Sequence, residues 1–595
     1  MVEHNVSEQA WAGLYSTALP STRTGIFYNT FAYPTKISPE SVAVYIAAHT
    51  KPGDTVLDVF GGTGSTGIAA LICERPTAGM KSLADKLGVT PVWGARNAVV
   101  YEIGKYGAFA SSVMADPPEK SAFSNAVKQL LKAADENLPG VYDTVDAEGK
   151  PGVIRHIIYS DVVACPKCHQ EFSYYRGMVK FDPLRIDGSG VCPCCGYTAN
   201  ATMFPYCIDG VYDSLLGCEV SRRKRVPARI YGQSGAKKWA READDNDVLL
   251  FEQLEGVPYP VGAEAKEIVW GELYRSGYHT GITHLHHFYT KRNFRVMSFL
   301  WARSADFAPK IRDAIRLLLL SYNAAHGTLM TRVVVKNNSK DFVLTGAQSG
   351  VLYISSLPVE KNILIGIKRK LKCFEDAFAY LSECSGQLDV YNASSRRLSQ
   401  PDHSVDYIFT DPPFGDFIPY AEVNQINELW LGSPTDRADE IIISPSQKKD
   451  TSSYQAMITD VFREMHRVLK DGARATVVFH ASKATVWNAL RRACSDAGFS
   501  VDAATSLNKE QASFKQVVSE GSVQGDPLLL LSKGSAALSE SPSRAVLDEV
   551  ISGAKKSERQ IYADYIGKCL TRGIAVEYDA KSAYEYIAQK SGVAK

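Results

Sequence analysis

Long apolar runs are missing from this chain of 595 residues, and none approaches the length of a membrane span. The N-terminus lacks a basic region followed by an apolar core, so a secretory leader is not expected. An excess of charge of one sign is missing as well. The 66 Lys and Arg nearly balance 65 Asp and Glu, for a net charge of +1. A surface coated in basic residues is thereby excluded, and contact with a polyanion must use local patches. No internal repeat is present. What remains is the composition of an ordinary soluble globular protein, 45% hydrophobic and 22% charged, too long for one domain and suited to three or four. Twelve cysteines without extracellular context point to a reducing, cytoplasmic interior.

Two strand ends carry the chemistry. Thr55-Val56-Leu57-Asp58-Val59-Phe60 reads as a buried strand, followed by Gly61-Gly62-Thr63-Gly64-Ser65-Thr66-Gly67 and an alanine-rich helix start at Ile68. Glycines at such a turn let the backbone approach a ligand, and the helix N-terminus favours an anionic group. Gly62-x-Gly64-x-x-Gly67 also satisfies the dinucleotide pattern, so the turn alone leaves a nicotinamide or flavin cofactor open. Downstream, Asn97 to Tyr101 reads as the next strand, and Glu102 at its end is placed to accept both hydroxyls of a ribose. Far along the chain, Val405 to Thr410 reads as a strand ending in Asp411-Pro412-Pro413-Phe414. Two prolines stop the ladder and have no N–H of their own. Their carbonyls and the Asp411 carboxylate make a compact set of acceptors that suits the exocyclic amino group of a nucleobase, with Phe414 as a face for stacking. An ordinary Asp-Pro-Pro turn is the bland alternative.

Together these motifs resemble the amino-directed (N6-adenine/N4-cytosine) DNA methyltransferases. Asp58-x-Phe60-x-Gly62-x-Gly64 is similar to their motif I, with Asp-Val-Phe where many relatives have Asp-Pro-Phe, and Asp411 to Phe414 to their catalytic tetrad. The segment Tyr33-Pro34-Thr35-Lys36, ahead of an amphipathic helix reaching about Thr50, matches the part that encloses the methionine end of S-adenosylmethionine. The strand around Asp389 to Asn392 matches the one whose end contacts the cofactor's adenine. A helix over about 454–469, a strand at Ala475 to His480 and a helix ending near Ala497 follow in the family's order. The resemblance covers roughly residues 20–115 and 345–535. It implies an α/β fold, a seven-stranded Rossmann-like methyltransferase sheet, with Lys36, Asp58, Phe60, Gly62, Gly64, Glu102 and Asn392 around S-adenosylmethionine and Asp411, Pro412, Pro413 and Phe414 as catalytic residues. The expected organisation is a first half (1–120), an insertion (121–344), a second half (345–535), and a Ser-rich linker with a C-terminal helical module (536–595).

The insertion carries Cys165-Pro-Lys-Cys168 and Cys192-Pro-Cys-Cys195-Gly196, two knuckles whose thiolates can converge on one tetrahedral zinc. Cys194 could replace Cys195, although the Cys-x-x-Cys-Gly spacing favours Cys195. With four protein ligands, the metal is expected to be structural, in a ribbon over about 155–215. Adding it narrows the resemblance to the adenine-specific DNA methylases that contain a Zn-ribbon. The substrate implied is double-stranded DNA, the reaction methylation of a flipped base at adenine N6 rather than cytosine N4, and the setting restriction-modification or phage defence, with a partner nuclease or defence protein. Asp-Pro-Pro-Phe-Gly415 also occurs in tRNA guanine-N2 methyltransferases, the rival enzyme, and a catalytically silent DNA-binding subunit is the rival of another class. An inserted Pro193-Cys194 inside the knuckle is a poor match to the nucleophile of cytosine-C5 methylases.

Three basic stretches are candidates for phosphate contact: Arg222 to Arg225 with Arg229, Lys237, Lys238 and Arg241; Lys291-Arg292; and Lys368 to Lys372. His279, His284, His286 and His287 cluster, but with no acid at ligand spacing they read as a packed turn. Apolar spacing predicts a helix over 306–322, strands are expected again at 351–354, and helical spacing returns in the last fifty residues.

Overall fold

The computed structural model of the protein describes residues 14–15, 19–20, 25–336, 339–508, 527–534, 538–552 and 557–591. Two compact units emerge: one is Met1–Pro117, Asp376–Asn424 and Ser433–Lys595, the other Pro118–Glu375 with Gln425–Gly432. The second half of the first unit thus begins at Asp376 rather than at 345, and residues 425–432 belong with the insertion.

The first unit is built on one sheet. Its strands are β1 (Leu19–Pro20), β2 (Thr55–Asp58), β3 (Asn97–Tyr101), β4 (Leu388–Tyr391), β5 (Val405–Thr410), β6 (Leu469–Val478), β7 (Phe499–Asn508) and β8 (Pro527–Lys533). They lie in the order β1-β7-β8-β6-β5-β2-β3-β4. That is eight strands where seven were expected, the eighth being the two-residue β1 at the edge, parallel to β7. Strands β4, β3, β2, β5 and β6 are mutually parallel, whereas β8 runs antiparallel to both β6 and β7. Strands β2 and β5 sit at the centre. Val56, Leu57, Tyr407, Ile408 and Phe409 are buried there, which is why these segments read as continuous apolar runs rather than alternating ones.

Helices cover the sheet. In α1 (Pro39–His49), Ser38 and Pro39 set the start, with proline in the first turn where its missing N–H costs nothing. Next come α2 (Ser65–Ile72) and α3 (Lys105–Ala115), while α4 (Tyr420–Glu428) starts in this unit and continues into the 425–432 segment of the other. In α5 (Thr451–Val468), the Asp450 side chain accepts from the Ser453 N–H, and Tyr454, Ile458, Val461, Phe462 and Met465 form the buried stripe. Helix α6 (Ala484–Asp496) buries Trp487 and Leu490.

The last three helices, α7 (Ser543–Ser552), α8 (Glu558–Thr571) and α9 (Ala580–Ser591), are not a separate module. Leu547, Ile561, Tyr565 and Ile566 share one apolar core with Phe479 and Trp487. Asp579 accepts the first free N–H of α6, from Ala484, and Ser482 accepts from the Ala580 N–H at 2.9 Å. Helix α6 therefore borrows its cap from a residue 95 positions further on, and the C-terminal helices fall in the first unit. Of the expected Ser-rich linker, Lys533 ends β8 and residues 535–537 lie outside the described residues.

The second unit has its own antiparallel sheet, ordered Lys237–Glu242, Arg225–Ser234, Pro151–Ala164 and Val359–Lys361. Helices Lys120–Asn137, Lys291–Ser304 and Pro309–Tyr322 accompany it. No strand forms at 351–354. The Leu352 carbonyl accepts instead from the His279 ring Nε2 at 2.6 Å, so that backbone serves a side chain rather than a ladder.

Candidate functional site

Where β2 ends, Asp58 is buried and the chain turns. Its Oδ1 accepts from the Thr410 hydroxyl at 2.7 Å and from the Phe60 N–H at 3.0 Å. Burial pushes the Asp58 carboxyl above its ordinary range, and the bonds from Thr410, Thr66 and Phe60 work against that rise. Two positions in the turn require glycine. Gly62 (φ 49°) and Gly64 (φ 77°) are left-handed, and a Cβ on Gly64 would lie 2.8 Å from the Ser111 hydroxyl. Gly64 is also the residue before α2, so the turn presents a helix N-terminus.

Glu102 follows β3, as the sequence places it. Its carboxylate accepts from the Gly62 N–H at 2.7 Å and from the Gly104 N–H at 2.5 Å. It therefore braces the glycine turn from beneath. Asn392, after β4, donates to the Glu102 carbonyl at 2.8 Å and the Ile103 carbonyl at 3.1 Å. The Lys36 ammonium donates to the Phe27 carbonyl at 2.8 Å and the Phe31 carbonyl at 3.3 Å, over the Phe31 ring. In this structure Lys36 fastens the segment ahead of α1. Phe60 is half-buried against the core of the first unit.

The tetrad lies one strand away. Strands β2 and β5 are parallel with Tyr407 beside Val56 and Ile408 beside Leu57, so Asp411 emerges at the same edge of the sheet as the glycine turn. The Pro413 carbonyl is used internally, accepting from the Tyr454 hydroxyl at 2.7 Å and the Gly415 N–H at 3.1 Å. Phe414 is only 6% exposed. Its ring stands edge-on to Phe479 at 5.5 Å, because the apolar core of α5, α6 and β6 reaches up to it. It is a packed wall, and Phe417, half-buried with its ring 6.2 Å away, is the more open aromatic of the pair.

Sequence reading missed several residues that shape this edge. Gly107 in α3 is one: a Cβ there would lie 2.4 Å from the Gly62 carbonyl oxygen. Tyr420 is another: it stacks at 6.0 Å on Tyr33, a residue the sequence did place near the cofactor, whose ring is 3.0 Å from where a Gly62 Cβ would stand. The Thr35 and Tyr420 hydroxyls are 2.9 Å apart. Tyr33 and Thr35 thus join the glycine turn to the chain that follows the tetrad. The signal for Gly107 was a glycine in the first turn of a helix, which costs helix stability and calls for a packing reason.

The turn fits a ligand with a polar, close-lying group. Its glycines leave a cradle that side chains would fill, and the Thr63 hydroxyl is buried with no hydrogen-bond partner among the described residues.

In the second unit, Cys165, Cys168, Cys192 and Cys195 converge, with all four sulfurs within 4.8 Å of one another. Cys165 and Cys195 are 3.7 Å apart, as are Cys168 and Cys192. Tetrahedral bonds of about 2.3 Å to zinc place thiolates about 3.8 Å apart, so the donor set fits that ion. Cys194 is exposed and outside the group. The two knuckles repeat one geometry. His169 N–H returns to the Cys165 carbonyl and Gly196 N–H to the Cys192 carbonyl, each at 2.9 Å, with His169 (φ 60°) and Gly196 (φ 71°) left-handed.

The basic run 222–225 is not a free face. Arg222 pairs with Asp213, Arg223 and Arg225 with the fully buried Asp161, and Lys224 with Glu171. Arg241 makes a bidentate pair with Asp247, and Arg292 pairs with buried Glu360. Asp213 is also the acid that spacing did not supply to the histidines. Its Oδ2 lies 2.7 Å from His286 Nε2 and 3.0 Å from His287 Nε2. The Thr283 N–H approaches His287 Nδ1 at 3.2 Å, which puts the His287 proton on Nε2, pointing at Asp213. Burial first, then the Arg222 charge, hold His287 down to about 3. With Arg222 on the same carboxylate, the cluster is a hydrogen-bonded knot between the hairpin at 208–223 and the turn at 285–288.

Residues 4–86 match a family model described as DNA methylase. No curated protein matches the chain. Among solved structures, a SAM-dependent methyltransferase from Methanosarcina mazei is similar at 12% identity over 26% of this chain and 69% of that one, with a TM-score of 0.15. Geranyl diphosphate C-methyltransferase from Streptomyces coelicolor A3(2) is similar at 11% identity over 29% and 59%, also with a TM-score of 0.15. Likeness at that score carries no argument about this chain.

Proposed function

We propose that the protein is an S-adenosylmethionine-dependent DNA methyltransferase acting on the exocyclic amino group of a base turned out of the duplex, adenine N6 in preference to cytosine N4. One observation carries the reading. The glycine turn and Asp411 leave adjacent parallel strands, β2 and β5, where the strand order changes direction, and ligands of open α/β sheets bind in that crevice. The DNA methylase match over 4–86 includes the glycine turn and the Tyr33–Lys36 segment, and supports the same reading.

When bound, the cofactor supplies a methyl group on a sulfonium, a leaving group that needs no further activation. Gly62, Gly64 and the turn braced by Glu102 would hold it, with Tyr33 against the turn and Asn392 fixing the backbone beside Glu102. Asp411 and the Pro412 carbonyl accept the two amino hydrogens and turn the nitrogen lone pair toward the methyl carbon. The base sits against the Phe414–Phe417 pair. Bound at the glycine turn, S-adenosylmethionine would supply the methyl group, its sulfur keeping the carbon–sulfur electron pair, and the proton given up by the amino nitrogen would pass to the Asp411 carboxylate or through it to solvent. Leaving the duplex is required because a stacked amino group cannot reach the methyl carbon. The thiolates of Cys165, Cys168, Cys192 and Cys195 would hold a zinc ion in a structural rather than catalytic role.

The test is transfer of labelled methyl from S-adenosylmethionine to unmodified duplex DNA and, separately, tRNA, with nucleosides identified by mass spectrometry. N6-methyladenine in DNA is the expected product. Label in RNA guanine, or in neither substrate, would overturn the proposal.

A further inference from the structure

The cations of the second unit divide sharply into two kinds. Arg222, Arg223, Lys224, Arg225, Arg241 and Arg292 each sit on a carboxylate. Around His326 the arrangement is reversed. Strand Val359–Lys361 turns Glu360 inward to Arg292 and, on its opposite face, carries Lys361 toward the turn Asn323–Gly327. The Lys361 ammonium donates to His326 Nδ1 at 3.1 Å. Helix Ile363–Leu381 starts two residues later and brings Arg369 and Lys370 to the same place. Among the described residues no carboxylate lies within ion-pair distance of Lys361 or Arg369.

Lys361 and Arg369 repel one another, and the half-burial of Lys361 strengthens the repulsion. Burial first, then Arg369, bring Lys361 down to about 8, and burial with Lys361, Lys370 and Arg369 brings His326 down to about 3. His326 is therefore the neutral acceptor that fixes Lys361, which stays an ammonium at neutral pH. The acid acting on His156, which pairs with Lys361 across the sheet, is Asp341, and it is engaged by the Tyr231 hydroxyl at 2.6 Å. An anion would relieve Lys361 and Arg369 together. Arg369 is exposed and Lys361 half-buried, so the anion must come from outside and be reachable at the surface, as a phosphodiester is.

We propose that Lys361 and Arg369, with His326 holding Lys361 in place, form a phosphodiester-binding face of the second unit that takes the backbone of duplex DNA. The proposal rests on the reading above for the identity of the polyanion. It gives DNA contact to the helix that starts at Ile363, and withholds it from the run 222–225.

The experiment measures binding of a fluorescent unmodified duplex by the full chain across a salt series, for wild type, Lys361→Gln, Arg369→Gln and the double variant. Each lost phosphate contact lowers the slope of log K against log salt by about 0.9. The double variant is expected to lose roughly two such increments, and Lys361→Arg with Arg369→Lys to restore them. S-adenosylmethionine affinity should not change. If the double variant keeps the wild-type slope while wild type binds and methylates DNA, this face is overturned and the proposed function stands. If wild type binds no duplex, both fall. A slope lost on tRNA alone overturns the DNA assignment. Arg369→Gln, at an exposed position, keeps the test open should Lys361→Gln fold poorly.

Discussion

Thr410 donates a hydrogen bond of 2.7 Å to Asp58 across 352 residues of sequence. Each is the last residue of its strand, and each precedes a motif: Asp58 the glycine turn, Thr410 the tetrad. The bond therefore ties the two halves of the proposed site at the point where their strands run side by side. Thr410→Val keeps the β-branched shape and deletes the donor, leaving a buried carboxylate short of a partner. It should cost about 1–3 kcal/mol in urea denaturation. Methyl transfer should fall further than S-adenosylmethionine affinity, since Asp411 is the next residue.

The same carboxylate sets a pH dependence. Asp58 holds its proton to higher pH in the folded protein than in the unfolded chain. Its contribution to stability is therefore fully present below the unfolded carboxylate range and is lost as pH rises through the folded value. Asp58→Asn should flatten the stability curve over that acidic window while weakening cofactor binding. Thermal midpoints from pH 4 to 7 that run parallel for wild type and variant would remove Asp58 as the cause.

Gly64 and Gly107 test the cradle separately from the chemistry. Gly64→Val places a β-branched residue at a left-handed φ and against Ser111. Gly107→Ala drives a methyl onto the Gly62 carbonyl, in a helix where alanine would otherwise be favoured. Both should abolish or strongly weaken S-adenosylmethionine binding by calorimetry. Asp411→Ala should instead leave binding near wild type and abolish transfer. Equal binding by all three variants would place the cofactor elsewhere.

Much of this was legible in the sequence because it is local. A glycine turn after a buried strand, two prolines after another, and two cysteine knuckles each declare themselves within ten residues. What sequence could not supply was pairing at a distance. The run Arg222 to Arg225 looks like a solvent-facing patch until Asp161, Asp213 and Glu171 arrive from other segments to neutralise it. Asp213 comes from 73 residues away to meet His286, so no ligand spacing could have announced it. The cap of α6 by Asp579 is the same kind of event, and it turns an apparent appendage into core. Val351 to Ile354 had the composition of a strand, but His279 claims the Leu352 carbonyl.

The four-cysteine centre makes a stoichiometric prediction. Purified protein should carry one zinc per chain, and Cys168→Ser or Cys192→Ser should lose it. A structural site contributes folding free energy directly. Loss of metal should therefore raise proteolytic susceptibility within 155–215 while S-adenosylmethionine binding, which uses the other unit, persists. Cys194→Ser should keep the metal, because its thiol lies outside the cluster. Zinc lost from Cys194→Ser and kept by a Cys195→Ser variant would exchange the two assignments.

Arg223 offers the sharpest contrast between a basic residue that builds the fold and one that meets a phosphate. Its guanidinium is 5% exposed and shares Asp161, at 0%, with Arg225 at 15%. Removing one partner of such a cluster strands charge in a low-dielectric interior, a cost of about 3–5 kcal/mol when the pair is fully buried. Asp161 keeps Arg225, so Arg223→Gln should fall toward the lower end of that range in chemical denaturation. Its effect on DNA should be of a different kind. Where the variant remains folded, the salt dependence of duplex binding should match wild type, since no phosphate contact is lost. A reduced slope with unchanged stability would mean that Arg223 leaves Asp161 for the DNA backbone, and the run 222–225 would then be a phosphate-binding face.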